Sequence, residues 1–166
     1  MDWDAIGAIG ELVGGFAVII SLVYVGLQIR QSADASRAAT SQAFAKQYCD
    51  LNQMIANPEL SAIFTRGLSG VNGLSVEEQA SFASILSSIS RTLESFYFQK
   101  EKGNLEPALF EGWIIQYLDL HANPGVQEYW GMRKHQFSDQ FVEFIANKAK
   151  TVVASPLYEG LESRHE

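Results

Sequence analysis

Hydrophobic positions along the chain fall into two regimes. From Ala5 to Ile29 the sequence AIGAIGELVGGFAVIISLVYVGLQI is apolar on all sides, with Glu11 as its single acidic or basic side chain. As a helix rising about 1.5 Å per residue, this stretch is long enough to cross a hydrocarbon core of roughly 30 Å with some tilt. Beyond it the apolar positions become periodic. Ala35, Ala38, Ala39, Phe44, Tyr48, Leu51 and Ile55 recur at helical spacing, and Gln31 to Ala56 holds no proline or glycine. The helix is therefore predicted to run on without a break. Asn57-Pro58 stops it, because the residue before proline is pushed out of the α region.

The remaining boundaries are legible from caps and breakers. A short helix is predicted from Glu59 to Leu68, and Ser69 to Gly73 is a loop by composition. Ser75 with Glu78 makes a capping box that opens a long helix to about Lys102. Phe82, Ile85, Leu86, Ile89, Leu93, Phe96 and Tyr97 lie on its apolar face, and Gly103-Asn104 ends it. Helices follow at Pro107–Leu120, at Pro124–His135 and from Ser138, the expected N-cap, to about Val153. No stretch alternates long enough to make a strand, and no internal repeat occurs. The predicted fold is all-α: an N-terminal transmembrane helix continuing into a small cytoplasmic helical bundle. Residues 1–30 are the expected anchor, 31–153 the helical domain and 154–166 a loosely held tail.

The apolar segment has internal pattern. Gly7, Gly14, Ser21 and Gln28 are spaced by heptads, and Gly10, Ala17 and Tyr24 fall three residues after the first three. Together they draw one stripe of small or polar residues along the helix, with Gly10-x-x-x-Gly14 inside it. Such a stripe lets helix backbones approach in lipid, where dispersion rather than hydrophobicity drives association. The competing reading is that glycine is simply frequent in membrane helices. Glu11 lies beside the stripe, about 9 Å into the span by helix rise. It either faces other helices or water, as intramembrane carboxylates do, or snorkels to the outer headgroups. Asp2 and Asp4 precede the span whereas Arg30, Arg37 and Lys46 follow it. By the positive-inside rule the N-terminus is expected outside and the domain in the cytoplasm, with Trp3 and Tyr24 at the two interfaces. Two rivals compete with an anchor: the buried helix of a soluble protein, and a signal peptide cut near Ala33-Asp34-Ala35. The second would want a basic start in place of Met1-Asp2-Trp3-Asp4.

Charge and composition narrow the function classes. A net charge of −7 without any Lys/Arg run argues against a nucleic-acid partner. An apolar content of 47 % with 19 % charged residues is that of a folded chain. The lone Cys49 makes no internal disulfide, which suits a reducing compartment, and is expected to be a small buried apolar residue. His121, His135 and His165 are scattered, with no cysteine pair and no Glu-x-x-His, so no metal site and no cofactor are expected. G-x-S-x-G, P-loop and G-x-G-x-x-G motifs do not occur. Glu77 and Glu78 open a helix, where carboxylates favour the positive end of the dipole. The chain is not expected to be an enzyme.

Two segments look familiar. The opening W-D-A-I-G-A-I-G-E-L-V-G with S-L-V-Y-V-G-L-Q-I-R-Q, and the later N-P-G-V-Q-E-Y-W-G-M-R-K-H-Q-F-S-D-Q-F-V-E-F from Asn123 to Phe144, together cover roughly a third of the chain. They resemble a family of uncharacterised bacterial single-pass membrane-anchored helical proteins. The resemblance implies a bacterial membrane source and carries no activity to any residue. This chain departs from it at Gly131, which stands where a more helix-favouring residue is expected. Trp130, Arg133 and His135 are expected to form a packed, hydrogen-bonded corner between two helices rather than a ligand site. The functional expectation is a membrane-anchored interaction protein, homo-oligomeric through the stripe, whose partners are the bilayer and itself. An accessory subunit of a larger membrane complex is a second reading, and an ion- or proton-conducting oligomer using Glu11 a third.

Overall fold

The computed structural model describes residues 3–153; Met1, Asp2 and the tail 154–166 lie outside the described residues. The fold is all-α. Six helices follow one another: α1 (Trp3–Ile55), α2 (Pro58–Leu68), α3 (Val76–Glu101), α4 (Pro107–His121), α5 (Pro124–Arg133) and α6 (Asp139–Thr151). Among the described residues there is no strand. By contacts the chain divides into two compact units, Met1–Ala39 and Thr40–Glu166.

Local chemistry sets most of the boundaries. Asn57 ends α1 and caps α2, its Oδ1 accepting the Glu59 and Leu60 N–H groups at 3.0 and 3.4 Å. Pro58, Pro107 and Pro124 each stand in the first turn of a helix, where a missing N–H costs nothing. The Ser75–Glu78 capping box is complete, with both reciprocal bonds made. At the other end of α3, Gly103 takes φ +72° and its N–H donates to Lys100 O, while the Asn104 N–H donates to Gln99 O. That pair of bonds is a Schellman ending, which favours glycine at the left-handed position. Two departures concern tight turns. The loop after α2 holds a 3-10 turn at Val71–Gly73, and α5 stops at Arg133, with a second 3-10 turn at Lys134–Gln136 covering His135.

The core of the second unit is two apolar clusters threaded by α3. One gathers Phe44, Leu93, Phe96, Phe110, Ile114 and Phe141. The other gathers Phe64, Leu68, Phe82, Leu86, Val126 and Tyr129, and Ile89 packs against both. The periodic face expected on α3 is the buried one: Phe82, Ile85, Leu86, Leu93 and Phe96 are at most 5 % exposed. Cys49 corrects the expectation of a buried thiol, for it is exposed on α1.

Glycines fall into two kinds. Gly67 of α2 lies so close to Phe82 that a Cβ there would sit 2.5 Å from Cδ2 of the ring. A Cβ on Gly125 would run into the carbonyl oxygen of Gly67. The crossing of α2 with α5 therefore depends on the absence of a side chain at Gly125. Gly131, by contrast, is helical and exposed, and a Cβ there meets nothing within 4 Å. Gly125→Ala is expected to destabilise the bundle by about 1–3 kcal/mol through backbone overlap. Gly131→Ala is expected to stabilise it by about 0.4–1 kcal/mol through lost unfolded-state entropy. Thermal unfolding followed by circular dichroism should move Tm in opposite directions for the two variants.

Candidate functional site

Three features are candidates: the small-residue face of α1, the polar corner before α6, and a cleft lined by the ends of α1 and α4 and the middle of α2 and α3. The face consists of Gly7, Gly10, Gly14, Ala17, Ser21, Tyr24 and Gln28, all exposed. A Cβ added to Gly7, Gly10 or Gly14 meets nothing within 4 Å, so the fold of this chain alone does not call for glycine there. The polar groups on the face are satisfied along the helix itself. Ser21 Oγ donates to Ala17 O at 2.8 Å and Gln28 Nε2 donates to Tyr24 Oη at 2.9 Å. Glu11 is exposed beside the face. Around these positions lie large apolar side chains in the open: Phe16, Ile20, Leu22 and Ile29 are 60–66 % exposed. α1 is the one described helix that is long and apolar enough to cross a membrane, and none of its apolar 18-residue window is buried.

In the corner before α6 the three residues that the sequence suggests together are not joined by a hydrogen bond or ion pair among the described residues. Trp130 is half-buried, edge-on to His121 at 5.8 Å and to Phe141 at 6.2 Å, and tilted against Phe137 at 5.2 Å. Arg133 and His135 are exposed, and among the described residues no hydrogen bond or ion pair joins them to each other or to Trp130. The 3-10 turn at Lys134–Gln136 is what takes His135 away from the packed face. Arg91 and Glu94 of α3 supply the polar chemistry instead. The Arg91 guanidinium donates to Glu94 Oε2 at 2.8 Å and to Gln136 O at 2.6 Å, and lies 4.4 Å from the centroid of the Phe137 ring. Glu94 Oε1 accepts the Ser138 N–H at 2.7 Å. A carboxylate on α3 thereby occupies the N-terminus of α6, where the dipole favours negative charge. Ser138 stands at the N-cap position, yet its Oγ is buried without a partner among the described residues, as are Tyr129 Oη and His121 Nε2.

The cleft encloses about 130 Å³. Tyr48, Phe64 and Trp113 give it aromatic walls, and Ile55, Ile89, Leu93 and Leu120 give it aliphatic ones. Its polar members are Asn52, Thr92, Gln116 and Tyr117, and no charged side chain lines it. Gln116 Nε2 donates to Tyr48 Oη at 2.9 Å, Gln47 Nε2 to Thr92 Oγ1 at 3.1 Å and Asn52 Nδ2 to Tyr48 O at 3.0 Å. Below it Tyr117 Oη and Ser90 Oγ share a buried bond of 3.1 Å, and burial pushes the Tyr117 phenol well above its ordinary value. The chain matches no protein-family model, no curated protein and no solved structure. Among the described residues no group of three or more His, Cys, Asp and Glu is placed to hold a metal ion.

Sequence reasoning did not find the cleft. Tyr48, Leu51, Asn52 and Ile55 are one face of α1, and Trp113, Gln116, Tyr117 and Leu120 one face of α4, by ordinary helical spacing. Nothing in either run states that the two faces meet around a gap.

Burial holds the His121 imidazole below its ordinary value of 6.5. The unfolded chain then takes up its proton first, so folding stability falls as pH drops through about 6.5 and stops falling once folded His121 itself protonates. His121→Phe keeps a ring against Trp130 and removes the titration. Urea unfolding between about pH 7.5 and 5.5 is expected to show a weaker pH dependence in His121→Phe than in the parent.

Proposed function

We propose that this chain is a membrane-anchored assembly protein of a bacterial inner membrane. The apolar part of α1 spans the bilayer with the N-terminus outside, the helical bundle lies in the cytoplasm, and copies associate through the Gly7/Gly10/Gly14/Ala17/Ser21/Tyr24/Gln28 face. The observation that carries this reading is the exposure of nearly every large apolar side chain from Leu12 to Ile29. A patch of that size in water is an aggregation site, whereas lipid covers it without any protein partner.

Three further features support the reading. The Ser21 hydroxyl and the Gln28 amide are bonded along the helix, which is what an apolar surrounding demands of them. Arg30, Arg37 and Lys46 follow the span and Asp2 and Asp4 precede it, the charge order of an N-terminus-out anchor. Glycines on one stripe, with open space above each, cost helix stability unless another backbone approaches them. The satisfied Ser21 and Gln28 also weigh against a wet pore, which ranks conduction through Glu11 below assembly. The same face serves a different transmembrane partner equally well, and the mass of the complex separates the two cases. The reading assigns no catalytic role.

Native mass spectrometry of the assembly, extracted gently from its own membrane, is expected to give a homo-oligomer. Gly14→Leu should shift it toward monomer while the bundle keeps its melting temperature. An oligomer of unchanged mass in Gly14→Leu removes the face as the interface, and a hetero-complex in the parent turns it into a docking face for another subunit.

A further inference from the structure

The cleft is independent of the anchor and asks for its own occupant. Its volume, about 130 Å³, is close to that of an engineered apolar cavity of roughly 150 Å³ that takes up benzene. One aromatic ring, or two small fused ones, fills it; a drug-sized ligand or a long acyl chain does not. The walls contributed by Tyr48, Phe64 and Trp113 offer ring faces and edges, and aromatic pairs gain from such offset or edge-on contact. With no charged side chain in the lining, an ionised ligand would be desolvated without a counter-charge, so the ligand is neutral.

Hydrogen-bond accounting sets the remaining requirement. The amide nitrogens of Asn52 and Gln116 are committed, to Tyr48 O and to Tyr48 Oη, and Thr92 Oγ1 accepts from Gln47. The carbonyl oxygens of Asn52 and Gln116 accept nothing among the described residues. Both side chains sit at the exposed rim of the cleft, where the ligand enters. These two exposed oxygens can take a hydrogen bond from a ligand in place of water. An apolar pocket with a small number of placed polar groups is the usual form of a small-molecule site.

We propose that this cleft binds a neutral single-ring or indole-sized aromatic compound carrying one O–H or N–H donor. The ring packs against the touching rings of Tyr48 and Trp113, whose centroids are 4.4 Å apart, and against Ile89 and Leu93, and its donor reaches the Asn52 or Gln116 carbonyl oxygen. This assignment stands whether or not the chain self-assembles in the membrane.

Methyl NMR on the full chain in lipid nanodiscs tests it, because aromatic compounds also dissolve in bilayers and the two events must be told apart. Indole, phenol and benzene are titrated while the methyl signals of Ile55, Ile89, Leu93 and Leu120 are followed beside those of Ile19, Ile20 and Ile29. The expected result is saturable shifts at the first four, with the span methyls moving linearly as compound partitions into lipid. Leu51→Trp, which places a ring in the cleft from α1, should abolish the saturable shifts. Asn52→Ala should weaken indole about tenfold, the loss of one hydrogen bond, and leave benzene unchanged. Linear shifts at all positions, or saturable shifts that survive Leu51→Trp, overturn the proposal. Asn52→Ala weakening indole and benzene equally overturns the donor requirement.

Discussion

Among the described side chains of α1, Phe44 is the single one the bundle buries fully, 4 % exposed with its ring 4.1 Å from that of Phe96 and 3.8 Å from that of Trp113. That three-ring contact joins the end of a 53-residue helix to α3 and α4. An isolated helix is held in water only by an apolar face laid on something else. After Phe44 the half-buried Tyr48, Leu51 and Ile55 continue the seam, and the cleft opens where it is incompletely filled. Without the clasp, α1 from Thr40 onward would lose its packing and the bundle one wall of its first apolar cluster.

Before Thr40 the same helix obeys a different constraint. Its large apolar side chains from Leu12 to Ile29 are exposed. The division of the chain into units at Ala39 marks where packing against the bundle begins. On the proposed reading one helix meets two solvents: lipid needs a uniformly apolar surface with internally satisfied polar groups, and the bundle needs a single apolar stripe. The residues change accordingly, from the run ending at Ile29 to the periodic Phe44, Tyr48, Leu51 and Ile55.

How much of this was legible in the sequence depended on how local the cause was. Asn57-Pro58, the Ser75–Glu78 box and Gly103 act within one turn of the chain, and the helix ends follow them closely. The apolar face of α3 was legible for the same reason, since its spacing is local. Glu94 was not. It lies between Leu93 and Phe96 on a buried face, and the N–H it caps belongs to Ser138, a partner that only tertiary packing brings near. Ser138 looked like its own cap because serine is a favoured residue there, yet its hydroxyl is turned away from the task. Trp130, Arg133 and His135 looked like one corner because they are neighbours in sequence, yet only Trp130 packs into the bundle, Arg133 is exposed at the end of α5 and His135 is exposed in the 3-10 turn that follows. The need for glycine at Gly67 and Gly125 is likewise a property of how α2 packs on α3 and α5, while the glycines of α1 meet nothing within 4 Å and acquire a role only on the proposed reading.

The membrane span is the central claim, and the lone exposed Cys49 makes it directly measurable. The experiment is labelling with a membrane-impermeant maleimide in intact cells, in inverted vesicles and after denaturation. The parent protein is compared with Ile20→Cys placed in a Cys49→Ser background. The account predicts that Cys49 labels in inverted vesicles and not from outside intact cells, and that the cysteine of Ile20→Cys labels only after denaturation. Labelling of Ile20→Cys in intact vesicles would mean that the apolar stretch of α1 is not in the bilayer, and would contradict the account.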